Sequence, residues 1–562
     1  MAHLTHNIPR RTLKAHMGEG IYPMVRLPEG EPTVTLRIDG EEVTVPPGTS
    51  ILAAALYNGI EIPYFCFHPG LSAVGNCRMC LVEINGRPKL EPSCIMPVAE
   101  GMEVVTNNEA VAEARRGVME FLLLNHPLDC PWCDKAGECL LQDNAYKFGL
   151  GRTRHRMVKR TYPEKDFSDR LKMYMNRCIQ CTRCVRFLQE VEGGEEFALY
   201  DRGGHVDVGT YLEHNLTNDY QGCLADVCPV GALVTKPFLH SARAFYLEAA
   251  RTVCPQCATG CSLYGDRFED RLARLRPRPN LEVNDWWMCD RGRFDLDWHT
   301  ENRIETALAG RGSERHPIRM AEAFALAIPA LDVARGSGGF AALTGASVPC
   351  EEIWLLRQLA SELGDPLAAW YGAEGRIDPA EMIDWLQRRD RNANTRGLEL
   401  VAPDAANIED ILAGVEAGTI STVLLLEADL DDETAARLGR ARTVIALSSR
   451  HTPATEVATL VMPGASPFEK TGTFVNARGR LQRFDRIHDP HGEAQADAAI
   501  LATFMRPRTT ESLRAIVARA FADMAAQIPA LSGLAFETLP ANGVQIDLGP
   551  EPGTGSGEEA DA

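Results

Sequence analysis

From Thr33 the residues T-V-T-L-R-I-D-G-E-E-V-T-V alternate apolar and polar around Asp39-Gly40, the pattern of two short strands joined by a two-residue hairpin turn. Ser50 stands where its hydroxyl can cap a short helix over Ile51 to Tyr57, because a serine oxygen accepts from an amide of the first turn. Farther along, Val111, Ala114, Val118, Phe121 and Leu122 recur at helical spacing behind Asn107 and Asn108. They predict a capped amphipathic helix over 109–124. Beyond residue 303 the texture changes to short apolar runs, at 340–343, 423–426 and 444–447, with helical stretches between them. One such stretch is 379–389, with Asp378 as its cap and Pro379 at its first position,. This alternation predicts an open α/β sheet of parallel strands. The tail from residue 549, rich in Pro, Gly and Glu, is disordered by composition,.

Composition narrows the function classes. At 562 residues, with 45% apolar and 24% charged residues, the chain has material for several globular domains,. A net charge of −19 argues against a nucleic-acid partner and for protein partners, since phosphate is bound by Lys and Arg. No run approaches about 18 uninterrupted apolar residues, so any membrane attachment is through other subunits. Residues 1–32 carry Arg10, Arg11 and Lys14 before the first acid. A transit peptide is one reading of them and a species-specific arm is the preferred one. The cysteines are the outlier, for sixteen of seventeen lie between Cys66 and Cys289. With C-x-x-C pairs and no apolar leader at the N-terminus, they indicate metal in a reducing compartment and not secreted disulfides.

The cysteines fall into four consecutive groups. Cys66, Cys77, Cys80 and Cys94 follow the strand, hairpin and helix in the order of a β-grasp ferredoxin. Four thiolates there suit a [2Fe–2S] cluster, although the first gap has ten residues where the plant-type ferredoxin has four. Gly75 beside the C-x-x-C favours the cluster over tetrahedral zinc. In the second group the 109–124 helix delivers His126 in front of Cys130, Cys133 and Cys139. An imidazole then completes a three-cysteine set as fourth ligand of a [4Fe–4S] cluster, and zinc held by Cys3His is the competing reading. In the third, Cys178, Cys181 and Cys184 form the C-x2-C-x2-C run, with Cys228-Pro229 as the remote partner that two-cluster ferredoxins use,. Leu188, Asn218, Gln221 and Leu224 occupy the positions where a second cluster of that kind would need cysteines. Cys223 is one residue out of register and reads as a buried thiol. In the fourth, Cys254, Cys257 and Cys261 are closed by Cys289 after 27 residues. Here [4Fe–4S] competes more closely with a zinc knuckle. The basic run at 152–160 is either a solvated face or a docking surface for an acidic neighbour.

No strand is followed by a G-x-G-x-x-G or P-loop motif,. The motifs C-F-H-P-G-L at Cys66, N-H-P-L-D-C-P-W-C-D-K-A-G-E-C from Asn125, R-C-I-Q-C-T-R-C-V-R-F from Arg177 and C-P-V-G-A-L from Cys228 are specific. They make residues 33–303 resemble the large iron–sulfur subunit of the bacterial NADH-quinone oxidoreductases, respiratory complex I. A looser resemblance continues through E-K-T-G-T-F-V-N from Glu469, which looks like that family's molybdopterin-oxidoreductase domain.

The resemblance implies a multidomain α+β and α/β chain. Its parts are an arm (1–32), a β-grasp [2Fe–2S] domain (33–107), a His(Cys)3-ligated [4Fe–4S] domain (108–148) and a bacterial-ferredoxin-like [4Fe–4S] domain (149–246). A [4Fe–4S] domain of the molybdenum/tungsten bis-MGD type (247–303), a shortened molybdopterin-oxidoreductase-like α/β domain (304–548) and the tail (549–562) complete it. The resemblance further implies one [2Fe–2S] and three [4Fe–4S] clusters and no catalytic site on this chain. Electrons would arrive from an NADH/FMN subunit, with a [2Fe–2S] subunit also in the complex, and leave towards quinone-site subunits. The place would be the cytoplasmic face of the bacterial inner membrane, held there by those partners. Mitochondrial members lack the last cysteine group, so its presence points to a bacterial protein. The C-terminal domain is short for the family, which argues against bound pterin. The large subunit of an NAD-linked formate dehydrogenase is the nearest alternative, with Cys350 as the sole candidate molybdenum ligand, although S-V-P-C-E-E-I-W reads as the start of a helix. A zinc-bearing scaffold without redox function is the alternative from another class.

Overall fold

The computed structural model describes residues 32–337, 339–364, 366–506 and 511–548. The expectations for residues 1–31 and for the tail lie outside the described residues. The chain divides into two compact units. The first takes the sequence up to Glu248 with Arg276–Leu281 and Asp285–Arg293, and the second takes Ala249–Leu275, Glu282–Asn284 and everything from Phe294.

In the first unit the alternating run from Thr33 forms strands Val34–Ile38 and Glu41–Val45, paired antiparallel with Ile38 opposite Glu41. Asp39 and Gly40 turn the chain at φ 50° and 86°, the left-handed pair that a two-residue hairpin of matching twist requires. Leu36, Ile38, Val43 and Val45 are buried from one face. The sheet is completed, in order beyond Val34–Ile38, by Glu103–Val105, Leu81–Ile84 and Glu91–Pro92. Helix Ile51–Tyr57 packs on it, and the Ser50 hydroxyl accepts from the Ala53 amide at 3.2 Å as its sequence predicts.

The second predicted helix spans Glu109–Asn125, with the Asn108 carboxamide accepting from the Val111 amide at 2.9 Å. Its buried stripe is Val111, Arg115 and Met119. That differs from the stripe read from the apolar residues, and Phe121 is 77% exposed. The aliphatic stem of an arginine can line an interior as well as a leucine does, so Arg115 takes the place that the hydrophobic pattern assigned to its neighbours.

The second unit holds a seven-stranded sheet. Leu367–Trp370, Phe340–Gly345, Thr422–Leu426, Thr443–Ser448 and Leu460–Pro463 run parallel, and Ala307–Ala309 and His316–Ile318 extend one edge antiparallel. Phe340–Gly345 and Thr422–Leu426 are buried at every residue. Continuous apolar runs of this kind belong to strands covered on both faces. Helix Cys350–Leu363 starts at Cys350 as its sequence indicates and is buried nearly all round.

The stretch 379–389 is not a helix. Asp378 Oδ1 accepts from the Ala380 amide at 2.8 Å, and Asp384 Oδ1 accepts from the amides of Leu386 at 2.8 Å and Gln387 at 2.7 Å. These side-chain bonds take the amides that a helix would use. A bridge between Met382 and Arg388 closes the loop. Among the described residues no helix is long and apolar enough to cross a membrane.

Candidate metal centres

The loop after helix Ile51–Tyr57 carries Cys66, and the turn before strand Leu81–Ile84 carries Cys77 and Cys80. Cys94 follows strand Glu91–Pro92. Cys66 is fully buried, and its sulfur accepts the Cys77 amide at 3.5 Å. The Cys66 sulfur is within hydrogen-bonding reach of Cys77 and Cys94, and Cys80 is within reach of Cys94. Donated S–H bonds therefore hold the Cys66 and Cys80 thiols below the ordinary range, while Cys77 and Cys94 are pushed up. All four thiols predicted for the first group thus meet in one place, closely enough to share protons. Two backbone details make the loop tight. Gly75 has φ 59° with the Ile95 side chain 2.9 Å from where a Cβ would stand, and a Cβ on Gly70 would lie 2.6 Å from the Trp286 ring.

His126 sits at the C-terminal end of helix Glu109–Asn125. Its Nδ1 is buried without a hydrogen-bond partner, and burial lowers its pKa to about 4. A neutral imidazole with an unspent ring nitrogen suits a metal ligand. Cys130 is exposed, Cys133 and Cys139 are buried, and Cys139 begins helix Leu140–Phe148. A Cβ on Gly231 would stand 2.1 Å from the Cys133 sulfur, so only glycine permits that approach,.

Cys178, Cys181 and Cys184 occupy a turn in which Gln180 and Thr182 have φ of 53° and 64° and which opens helix Arg183–Phe187. Cys228 ends helix Gln221–Val227. Its charge raises the pKa of each of the other three, although burial is the larger cause and pushes Cys181 up to about 11. The structure thus brings the third group together, although Cys184 and Cys228 are 44 positions apart in sequence. Cys223 is fully buried, with its thiol donating to the Met288 carbonyl at 3.2 Å.

The fourth group is divided between the units. Cys254, Cys257 and Cys261 share one loop of the second unit, closed by the Cys254 amide donating to the Cys261 carbonyl at 2.9 Å. Cys289 belongs to the first unit and accepts the Gly292 amide on its sulfur at 3.4 Å.

Sequence reasoning missed the arginines that frame these loops. Arg186 donates to the carbonyls of Cys66 at 2.6 Å, Cys181 at 3.4 Å and Ser72, and Arg183 donates to those of Val227 at 3.1 Å and Phe67. Two buried guanidiniums therefore tie the first cysteine loop to the third. Arg177 binds Asp129 at 3.0 Å and the Gly231 carbonyl at 3.4 Å, and Arg243 binds the Cys133 carbonyl at 2.9 Å. The available signal was the placing of Arg177, Arg183 and Arg186 within the cysteine run itself. The basic run at 152–160 also has an internal use. Lys159 donates to the carbonyls of Leu123, Leu124 and His126 at 2.9, 3.1 and 2.8 Å. It caps the C-terminal end of the helix that His126 closes, and Arg154 pairs with Glu120.

The cysteine loops on small sheets precede a parallel α/β sheet, and the family models that match the chain describe iron–sulfur domains followed by a molybdopterin oxidoreductase. Family models match in that order. They are a 2Fe-2S iron-sulfur cluster binding domain (31–109), the NADH-ubiquinone oxidoreductase-G iron-sulfur binding region (115–154) and the ferredoxin-like domain of NADH-quinone oxidoreductase subunit 3 (168–234). The molybdopterin oxidoreductase Fe4S4 domain (247–297) and molybdopterin oxidoreductase (390–506) follow.

Among whole proteins, the chain is similar to the G subunit of the NADH-quinone oxidoreductase of Rickettsia felis, 39% identical over 59% of this chain and 49% of that protein. It is also similar to the mitochondrial NADH-ubiquinone oxidoreductase 78 kDa subunit of Candida albicans, 41% identical over 59% of this chain and 46% of that one. The chain spans about half the length of the curated relatives it matches. A solved NAD+-reducing [NiFe]-hydrogenase chain is 33% identical over 36% of this chain and 87% of its own, at a TM-score of 0.32.

Proposed function

We propose that the chain is an electron conductor of a complex I-type NADH-quinone oxidoreductase, with four iron–sulfur clusters and no reaction site of its own. The ligand sets are Cys66, Cys77, Cys80 and Cys94 for one [2Fe–2S] cluster, and His126, Cys130, Cys133 and Cys139 for a [4Fe–4S] cluster. Cys178, Cys181, Cys184 and Cys228 hold a second [4Fe–4S] cluster, and Cys254, Cys257, Cys261 and Cys289 a third, the last assigned from spacing alone. The meeting of four thiols of the first group, Cys66, Cys80 and Cys94 buried and Cys77 half-buried, carries this reading, because four neighbouring thiols without disulfides suit thiolate ligation. The orphaned Nδ1 of His126 and the room that Gly231 leaves at Cys133 fit the second set in the same way.

Such clusters supply one-electron transfer at potentials set by ligand type, hydrogen bonds to sulfur and burial. The protein's part is to hold, insulate and tune. Arg183 and Arg186 fix the first and third loops to each other through their carbonyls, and their charges offset the thiolates in a buried setting. A neutral His126 in place of a thiolate makes its site less negative, which raises the potential. The proposed partners are the NADH/FMN subunit upstream, a [2Fe–2S] subunit and the quinone-site subunits downstream. Attachment is peripheral, on the cytoplasmic side of the bacterial inner membrane.

Metal analysis of the purified chain tests this. The expected content is about fourteen irons per chain, from cluster types of two and four irons, with visible absorption that dithionite bleaches. About ten irons, with zinc in place of the missing four, would show that one set is a zinc site. A colourless protein would end the reading altogether.

A further inference from the structure

The second unit holds a group of potential ligands that neither the cysteine sets nor the family matches account for. Glu469, His488 and His491 each offer a ligand atom, and those atoms lie within 4.8 Å of one another. Glu469 is completely buried. Its Oε2 is taken by Arg303 at 2.6 Å and the Ser466 amide at 2.8 Å. Its Oε1 is buried and accepts no hydrogen bond, with His491 Nε2 3.6 Å away. That separation is too long for a hydrogen bond. It is close to the spacing of about 3.3 Å between neighbouring ligands of a tetrahedral ion with bonds of about 2.0 Å.

The surrounding groups fix the ring orientations. His488 Nδ1 faces the Asp489 carbonyl at 2.8 Å. A carbonyl can only accept, so Nδ1 carries the proton and Nε2 keeps its lone pair. This is the outer hydrogen bond that metal-ligating histidines make. His299 lies behind it, Nε2 to Nε2 at 3.0 Å, with its Nδ1 on the Ser466 hydroxyl at 2.9 Å. His488 and His299 are both 1% exposed, whereas the His491 side chain is 43% exposed and leaves a route in from solvent. A metal-free hydrogen-bonded chain is the competing arrangement. Such a chain does link the Asp489 carbonyl, His488, His299 and Ser466, but it stops short of His491, which stands 3.6 Å from Oε1 and leaves that oxygen without a donor.

We infer that Glu469 Oε1, His488 and His491 form a binding site for a single divalent cation of the zinc type. His299 is the neighbouring ring outside the set, and its proton moves from Nε2 to Nδ1, beside the Ser466 oxygen, when the ion takes the His488 lone pair. The set has one carboxylate and imidazoles and no thiolate, which suits Zn²⁺ and argues against Ca²⁺ or Mg²⁺, whose sites are built of oxygens. The ion would pin the loop at Ser466–Glu469 to the segment at His488–His491, a structural staple independent of the cluster reading.

Zinc titration of the full, cluster-loaded chain, by calorimetry with elemental analysis of the product, tests the site. Wild type is expected to take up one Zn²⁺ per chain with its iron content unchanged. His491→Ala, at a partly exposed position, is expected to weaken binding at least about 10-fold, the lower end of what even outer-shell substitutions cost. His491→Cys is expected to bind as tightly as wild type, because a thiolate replaces the imidazole. No uptake by wild type, or equal affinity in wild type and His491→Ala, would overturn the proposal. Zinc that enters with the loss of about four irons belongs to a cysteine set and would count against the cluster reading and not against this site.

Discussion

Cys223 and Cys228 lie five residues apart on one helix and its end, yet they have different surroundings. Cys223 gives its proton to the Met288 carbonyl, whereas Cys228 acts electrostatically on all three members of the C-x2-C-x2-C run. Cys223→Ser is therefore expected to leave iron content and visible spectra unchanged. Cys228→Ser should remove about four irons per chain; equal losses in both variants would contradict the assignment.

Lys470 is a second instructive residue. It is fully buried and bonds Glu352 at 2.8 Å and Asp497 at 2.7 Å. Removing one partner of such a group leaves uncompensated buried charge, so Lys470→Met should destabilise the second unit by about 3–5 kcal/mol in urea unfolding. The E-K-T-G-T-F motif in which it lies is legible in sequence only as a family likeness, and nothing in it says that the lysine is interior.

At the scale of elements, helix Glu109–Asn125 depends on a cation from outside itself. Lys159 closes its last carbonyls, so Lys159→Ala should hasten amide exchange towards the helix's C-terminal end and lower the yield of the cluster proposed at His126. Unchanged exchange there would remove Lys159 from that role.

The packing of helix Cys350–Leu363 against the sheet has a pH signature. Burial raises Glu351 to about 8 from an ordinary 4.5, and burial with the charge of Asp497 raises Glu427 to about 8. Below 4.5 folded and unfolded chains hold the same protons at these groups. Between 4.5 and about 8 the unfolded chain loses protons that the folded chain keeps, so stability falls as pH rises through that window and levels off above it,. The melting temperature should accordingly drop from about pH 5 to about pH 8. Glu427→Gln, which carries no ionisable proton, should flatten the slope.

At the scale of the whole molecule, the proposed function is conduction without chemistry. Purified alone, the chain should neither oxidise NADH nor reduce quinone, while dithionite bleaches it. If the chain is assembled in the complex proposed for it, Cys66→Ser or Cys178→Ser should abolish quinone reduction and spare NADH oxidation by an artificial acceptor at that complex's flavin. Cys289→Ala should impair assembly more than turnover; a stable Cys289→Ala complex without quinone reductase activity would put the fourth set on the main route.

The linear chain by itself determined the hairpin at Asp39-Gly40, the cap at Ser50 and the all-apolar strands of the second unit. Each depends on neighbours within a few residues, or on a spacing that survives in one dimension. The tertiary structure decided what depends on distant partners. It replaced the helix expected at 379–389 by a loop, because Asp378 and Asp384 hold its amides. It moved the buried face of helix Glu109–Asn125 onto Arg115, turned part of a basic run into a helix cap, and set Arg183 and Arg186 between two cysteine loops. It also assembled Glu469, His488 and His491 from separate turns. Side chains such as arginine and histidine look the same in sequence whether solvated or buried, and only the packing around them, with its exclusion of water, gives their charges and lone pairs a partner.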